Sequence, residues 1–364
     1  PEGKGKGGGG GEKDSPPVQY SVTVLQNTLG GSKLYVVDMN DSLEIVGGQR
    51  NPDDESRAFV YTPDQGVVDL NSVVTAEQSD GWVMVSAMAI NELGQITGRA
   101  TKDGETRPYT LDLYGVAPPP HFSILPTPSG ASWSEGMEIN NLGEIVARYE
   151  DEVSSGNAFV YHPDGTVTDL GLRNGVVGFN DAGQILFRDH VSDDAGQLQF
   201  YLGVRLTPNG DGYTEEPFPD FWAGAMNESG VMAGSVERKN TDAVVRVRDA
   251  DSVEVLKDGK QDIWGNPISI NDDGDVAIPA HAAWSSSIRI YTDFNGLGLL
   301  QLVGDNLIVP EDSVWMTENY GHGYIMDIAN RDLTGFPPVL IRGYVSGFNG
   351  ITDGLLLTPV LSDP

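Results

Sequence analysis

Histidines are the residues of this chain best suited to proton transfer, but their spacing matches no metal-binding or catalytic motif. The five are His121, His162, His190, His281 and His322, with no pair spaced as in H-E-x-x-H. The chain has no cysteine, which excludes thiol catalysis and thiolate metal sites. We therefore predict no catalytic residue. The alternative is a polysaccharide lyase, in which His281 or His322 is the base and Arg289 or Arg331 neutralises a sugar carboxylate.

One turn carries the oxygen ligands that calcium prefers. In the stretch NDDGD, Asn271, Asp273 and Asp275 supply side-chain oxygens at alternate positions, with a glycine between them. Calcium takes six to eight oxygen ligands, and the glutamate that closes the common calcium loop is missing here. We predict that the protein needs no cofactor, and we keep a calcium ion at these three residues as the alternative.

Large aromatic residues recur at similar places in the sequence. They precede a repeated asparagine by five to nine residues: Tyr35, Trp82, Trp133, Trp222, Trp264 and Tyr324. We expect them near the start of the innermost strands, around one face of a central channel, where rings could stack on a sugar or hold a peptide. The alternative is that these side chains wedge between neighbouring repeat units, which also requires bulky residues at equivalent positions.

The repeated asparagines belong to a motif that organises the whole chain. It reads MNDSLEIVGG from Met39 and INELGQITGR from Ile90, and five further copies follow, the last being a degenerate ANRDLTG from Ala329. The key asparagines are Asn40, Asn91, Asn140, Asn180, Asn227, Asn271 and Asn330. A period of about 45 residues suits four strands and their loops. Seven copies predict an all-β fold, a seven-bladed β-propeller of four-stranded blades.

Each unit can be divided into four strands. An alternating inner strand leads into the Asn-x-x-Gly turn, where glycine accepts the left-handed conformation of a tight hairpin. A second strand, a third reading AFVY at 58–61 and 158–161, and a fourth after another turn complete the unit. The C-terminal unit lacks a fourth strand, and segment 18–25 is predicted to supply it and close the ring. The same strand could instead complete a neighbouring molecule and build a filament.

With these motifs in place, the chain resembles the extracellular HAF-repeat family of bacterial proteins. The resemblance covers roughly residues 18 to 360 and is clearest around Asn40, Asn91 and Asn140. It implies a propeller-like fold and export, but no shared activity. The histidine that precedes Ala-Phe in that family is replaced here by Arg57 and by Asn157, so no role of that histidine carries over.

Composition sets the class of partner. A formal charge of -31 disfavours nucleic acid and anionic membranes, and no apolar run is long enough to span a bilayer. Residues 1–17 form a glycine-rich arm, predicted to be disordered or extended, and 18–364 form one propeller domain. We expect a bacterial protein, extracellular or on the cell surface. It would be a non-enzymatic structural or interaction protein that assembles with itself or binds a glycan or peptide.

Overall fold

The computed structural model describes most of the chain from Gln19 onward. The described residues are 19–30, 33–50, 56–115, 120–173, 175–192, 198–210, 212–238, 241–249, 251–259, 268–282, 285–291, 300–302, 307–308, 321–332, 334–345 and 352–360. The predicted glycine-rich arm at 1–17 lies outside them. Within the described part, no helix has the length and apolar character needed to cross a membrane.

Twenty-nine strands are described, and most of them form six four-stranded antiparallel blades. The first blade contains β2 (Lys33–Met39), β3 (Ile45–Arg50), β4 (Ser56–Thr62) and β5 (Gly66–Asp69), and the second β6 (Val83–Ile90), β7 (Gln95–Lys102), β8 (Glu105–Asp112) and β9 (His121–Ile124). The third contains β10 (Trp133–Ile139), β11 (Ile145–Glu150), β12 (Asn157–Tyr161) and β13 (Val167–Leu172), and the fourth β14 (Val176–Phe179), β15 (Ile185–Ser192), β16 (Leu198–Asn209) and β17 (Gly212–Pro219). The fifth contains β18 (Phe221–Met226), β19 (Met232–Arg238), β20 (Thr241–Val247) and β21 (Val253–Gly259), and the sixth β22 (Ser269–Ile270), β23 (Val276–Ala282), β24 (Ser285–Tyr291) and β25 (Leu300–Leu302). Two one-turn helices, α1 (Leu70–Val73) and α2 (Ala76–Ser79), link the first two blades.

The remaining sheet joins the two ends of the described chain. It contains β1 (Gln19–Leu25), β26 (Leu307–Ile308), β27 (Gly321–Ile328), β28 (Val339–Val345) and β29 (Thr352–Val360), in the order β26-β1-β29-β28-β27. We call it the closing sheet. Strand β1 pairs antiparallel with β29 over seven residues, as the sequence predicted for segment 18–25.

The prediction of seven four-stranded blades is correct for six sheets and wrong for the closing sheet, which has five strands. The extra strand is β26, which pairs in parallel with β1 through Tyr20 and Leu307 and through Ser21 and Ile308. In the closing sheet β1 is an interior strand, paired with β29 along its whole length and with β26 at Tyr20 and Ser21.

The core lies between neighbouring sheets and not in one central mass. One cluster combines Val46 and Ala58 of the first blade with Met84 and Tyr109 of the second. Another joins Leu25 and Leu356 of the closing sheet to Leu34 and Phe59 of the first blade. Each blade therefore buries its apolar faces only by packing against two neighbours, and the ring is the stable unit.

Candidate ligand-binding site

The repeated asparagines fasten each blade to the next. In the turn after β2, Asn40 Oδ1 accepts the backbone N–H of Glu44, while Asn40 Nδ2 donates to the carbonyl of Asn91 in the second blade. Both bonds recur at Asn91, whose Nδ2 donates to the carbonyl of Asn140, whereas Asn180 Nδ2 donates to the carbonyl of Glu228. The sequence predicted a purely local turn role. The hydrogen bond from the asparagine side chain to the next blade was not predicted.

The seventh copy of the turn differs from the predicted register by one residue. The predicted key residue was Asn330, but Asn271 Nδ2 donates to the carbonyl of Ala329. Asn330 instead takes the position after the turn asparagine, the one that Asp41 and Asp272 occupy in their units. The loop to β28 is also longer here, since the N–H of Ala329 bonds to the carbonyl of Pro338. The motif was misaligned because Asn330 is the nearest asparagine in a degenerate copy.

Residues at this second position form a closed ring of hydrogen bonds around one end of the propeller, which we call the turn face. Each backbone N–H donates to a side-chain oxygen of the next unit, at 2.7 to 3.1 Å. The ring runs Asp41, Glu92, Asn141, Asp181, Glu228, Asp272, Asn330 and back to Asp41. It surrounds a small cavity of about 170 Å³. The ring locks the angular spacing of the blades.

Three carboxyl groups lie just inside the ring of hydrogen bonds on the turn face. A β-bulge ends the inner strands and aims Asp38, Glu138 and Asp327 toward the channel. Asp38 Oδ2 accepts the N–H of Ile90 at 2.8 Å, and Asp327 Oδ1 accepts the Ser269 hydroxyl at 2.8 Å. Burial, together with the charge of Asp327, raises the pKa of Glu138 to about 8. Burial also raises the pKa of Asp38 and of Asp327. These three carboxyl groups therefore keep their protons to a higher pH than exposed carboxyl groups do.

The predicted calcium turn is occupied by an arginine. Asp275 is fully buried, and Arg331 donates to both of its oxygens, from Nη2 to Oδ1 at 2.6 Å and from Nε to Oδ2 at 2.8 Å. Asp273 accepts the backbone N–H of Arg331. Asn271 uses its Oδ1 to close the turn by accepting the N–H of Asp275. A guanidinium thus sits on the carboxylate that the sequence offered to calcium, and the calcium alternative stays a prediction. Because Arg331 is paired with Asp275, it does not have the position of a cation that waits for a sugar carboxylate, as the lyase alternative required.

The predicted aromatic residues do not form one uniform ring. Trp82 packs against the core between the first and second blades. Trp222 packs edge-on against Tyr201, with ring centroids 4.0 Å apart, and the Arg188 guanidinium lies 4.6 Å from its ring centre. These two have the wedge role given as the alternative. Tyr35 lies on β2 and Tyr324 lies on β27. The side chain of Tyr324 and the whole of Trp264 lie outside the described residues.

Trp133 is the aromatic residue with the most ligand-like surroundings. It begins β10, and two guanidiniums lie over its ring, Arg148 at 4.8 Å and Arg99 at 5.8 Å from the centroid. Glu135, almost fully buried, accepts from Arg148 Nη2 at 2.7 Å and from the Ser86 hydroxyl at 2.9 Å. The carboxylate therefore holds Arg148 against the tryptophan.

The close approach of the second and third blades depends on one glycine. A Cβ added at Gly136 would lie 2.0 Å from Thr97 Oγ1 in the second blade. Gly136 follows Glu135 directly, so the glycine lets the strand that carries Trp133 lie against the strand that carries Arg99. The spacing of this tryptophan and its two arginines is thus fixed by backbone packing.

The sequence contains a pattern that would have predicted the arginines beside Trp133. Arg99, Arg148 and Arg188 all stand at the last position of the repeated motif, as in INELGQITGR, INNLGEIVAR and FNDAGQILFR. Each lies on the second strand of its blade, opposite the early part of the inner strand. Three consecutive blades thereby carry an arginine at one level. We call this set the arginine arc.

A groove opens beside Trp133 at the end of the propeller where the inner strands begin, opposite the turn face. We call this end the groove face. The groove encloses about 510 Å³ and is lined by residues of the first three blades: Ser56, Arg57, Val83, Val85, Arg99, Thr101, Thr106 and Trp133. Its size is that of a small-molecule site. Arg57, the residue in place of the family's histidine, is paired to Asp69 at 3.2 Å.

The described histidine side chains, His121 and His162, take part in separate hydrogen bonds. His162 Nδ1 lies 2.9 Å from Glu144 Oε1 and its Nε2 lies 3.0 Å from the Thr168 hydroxyl. Because Glu144 also accepts from Asn140, this chain of bonds supports a turn. The side chains of His281 and His322 lie outside the described residues. No group of three or more His, Asp or Glu side chains that could hold a metal is found among the residues described.

Comparison with known proteins identifies the fold alone. No family model matches the chain, and no curated protein matches its sequence. A streptogramin B lyase structure has a TM-score of 0.54 at 13% identity, covering 93% of this chain and 98% of that one. The β-propeller domain of the Trilobed protease from Pyrococcus furiosus, described as having an open velcro topology, has a TM-score of 0.55 at 11% identity, covering 92% and 96%. An inactive virginiamycin B lyase from Staphylococcus aureus with quinupristin scores 0.53 at 11% identity, covering 94% and 100%. The chain is thus an all-β propeller, and identities this low carry no activity with them.

Proposed function

We propose that this chain is a non-enzymatic binding module that acts outside the cell and holds its ligand on the groove face. The single observation that carries the proposal is Trp133, which has the Arg99 and Arg148 guanidiniums over its ring and lines a groove of about 510 Å³. An aromatic ring with fixed cations beside an open groove is an arrangement that binds ligands with little loss of conformational entropy. The HAF-repeat resemblance and the acidic surface support an extracellular setting.

Assembly with other copies is the second candidate, and the structure gives it less support. Strand β1 is paired on both sides within its own chain, to β29 and to β26. Donating β1 to a neighbour would first expose Tyr20, Val22 and Leu25, which are all buried. The opening would cost several kcal/mol of lost burial, at about 1.5–3 kcal/mol for each large side chain.

The test is a binding survey with matched variants. The intact chain would be applied to arrays of acidic glycans, neutral glycans and peptides, alongside Trp133→Ala and Leu142→Ala. Leu142 is 61% exposed and belongs to the turn face, so its substitution is the control for a change at the other end of the propeller. We expect retention of one ligand class, lost in Trp133→Ala and kept in Leu142→Ala.

Two outcomes would contradict the proposal. Retention that is equal in all three proteins would place binding elsewhere than the groove. Steady release of new sugar ends or unsaturated sugars from a retained glycan would mean that the chain is an enzyme, and it would favour the lyase alternative.

A further inference from the structure

The charges that line the groove differ from those of the rest of the molecule. The chain has 53 acidic residues and 22 lysines and arginines. Yet the groove lining contains two arginines, Arg57 and Arg99, and no carboxylate. Arg57 is paired to Asp69, so Arg99 is the groove cation left to attract a ligand with a negative charge.

Arg99 has hydrogen-bonding capacity that the described protein does not use. Its Nε is buried and donates no hydrogen bond within the described part of the chain. The closest carboxylate is Glu135, whose Oε1 is 3.9 Å from Nε, too far for a hydrogen bond. Glu135 is already engaged by Arg148 and Ser86. The Arg99 side chain is 31% exposed, so a carboxylate in the groove would pair with its exposed part and not with the buried Nε.

The other groove residues fit a sugar ring. Trp133 offers an aromatic side chain for apolar contact, and Ser56, Thr101 and Thr106 offer hydroxyl groups that both donate and accept hydrogen bonds. Val83 and Val85 supply the apolar floor. A peptide would be recognised by an extended row of backbone groups along a sheet edge. The groove instead combines one cation, one ring and several hydroxyls in a volume of about 510 Å³.

We infer that the groove binds the carboxylate of a uronic acid residue in a sparsely charged glycan, with Arg99 pairing to the carboxylate and Trp133 packing against the sugar. This inference rests on the proposed binding function and names its ligand class. The net charge of -31 limits the charge density of the ligand, because a dense polyanion would be repelled by the surrounding surface. One uronate among neutral sugars satisfies both conditions.

The experiment compares three related ligands by calorimetric titration of the full chain. They are a xylo-oligosaccharide with one glucuronic acid branch, the methyl ester of that compound, and the unbranched xylo-oligosaccharide. We expect the acid to bind about 10- to 100-fold more tightly than its ester, as the loss of one charged hydrogen-bonded contact implies. Arg99→Gln should remove this preference, so that acid and ester bind alike. Arg107→Gln, which makes the same change of charge in the second blade outside the groove, should keep it.

The possible failures are distinguishable. Equal binding of acid and ester by the wild-type chain, with loss in Trp133→Ala, would overturn the uronate inference and leave the binding function standing. A preference for an acidic peptide over all three sugars would do the same. No binding of any probe in this set or in the array survey would overturn both. Because the ester control needs no mutation, a poorly folded Arg99→Gln could not hide a negative result.

Discussion

Asn330 and Asp41 form a pair that joins the last repeat unit to the first, 289 residues apart in sequence. The N–H of Asn330 donates to Asp41 Oδ1 at 2.7 Å and its Nδ2 donates to Asp41 Oδ2 at 2.8 Å. Asp41→Ala should therefore open the ring at its seam and lower the free energy of unfolding by about 1 kcal/mol, since both bonds are to an ionised but exposed group. Urea titration should show a lower midpoint with an unchanged slope.

Asp41→Asn is the matched variant for the seam, because the amide keeps one oxygen that can accept the N–H of Asn330. We expect it to lose less stability than Asp41→Ala. Equal midpoints for wild type and Asp41→Ala would show that the seam contributes nothing measurable.

Two N-terminal deletions distinguish the role of the predicted arm, residues 1–17, from that of strand β1. Removal of residues 1–25 takes away Tyr20, Val22 and Leu25, which are buried against the closing sheet and its neighbour. It also exposes the edge of β29, so we expect aggregation or loss of cooperative unfolding. Removal of residues 1–17 should leave the melting temperature unchanged. Light scattering should give one chain, 39.0 kDa for the full sequence, in the presence of β1. Filaments that disappear on removal of 1–25 would instead mean that β1 is exchanged between chains.

Stability should fall as pH rises, because the channel carboxylates hold protons more tightly in the folded chain. Glu138 has a folded pKa of about 8 against an ordinary value of 4.5. Between these values the folded state binds more protons than the unfolded state, so its stability is full below about pH 4.5 and is lost as pH rises through 8. The raised pKa values of Asp38 and Asp327 act in the same direction.

Glu138→Gln tests this pH dependence with a neutral side chain of nearly the same shape. At pH 9 the variant should be more stable than wild type, on the order of 2 kcal/mol, and at pH 5 the two should be similar. Thermal melts across that range provide the measurement. A difference that does not change with pH would show that Glu138 is not the titrating group.

The buried pair of Arg331 and Asp275 should be the most sensitive ion pair of the turn face. Arg331→Gln leaves a fully buried carboxylate without its cation, and we expect a loss of about 3 kcal/mol. Adding Asp275→Asn to the same chain should recover part of that loss, because the remaining groups are then neutral. If the double variant is no better than the single one, the carboxylate is not what makes Arg331 necessary.

The same variants decide the calcium alternative at Asn271, Asp273 and Asp275. With Arg331 on Asp275, added calcium should leave the wild-type melting temperature unchanged. In Arg331→Gln the freed carboxylate should let calcium raise it, since a ligand that binds the folded state stabilises it. A calcium-dependent rise in the wild-type chain that disappears in Asp273→Asn would establish the site that the sequence suggested.

Local features of this protein are predictable from sequence because they depend on neighbouring residues. The alternation within strands and the Asn-x-x-Gly turns define the blades, and the isolated strand at 18–25 indicates how the ring closes. Six blades follow this plan. The extra strand β26 was not predicted, because a two-residue parallel pairing has no sequence pattern of its own.

The groove could not be predicted, because it depends on residues that meet only after the blades pack. Arg57, Arg99 and Trp133 come from three different blades. The aromatic pattern identified Trp133, but it gave the same weight to Trp82 and Trp222, which pack between blades. What separates Trp133 from these two is the groove that it lines, and single-sequence patterns do not reveal a groove formed between blades.

The pairing of β1 also has a consequence for how the protein is made. The Tyr20 hydroxyl donates to the carbonyl of Pro337, which is synthesised 317 residues later. Throughout translation β1 is an apolar strand without a partner, open to wrong pairing. Contacts between such distant residues also form slowly. The closing sheet therefore cannot form until β29 has been synthesised.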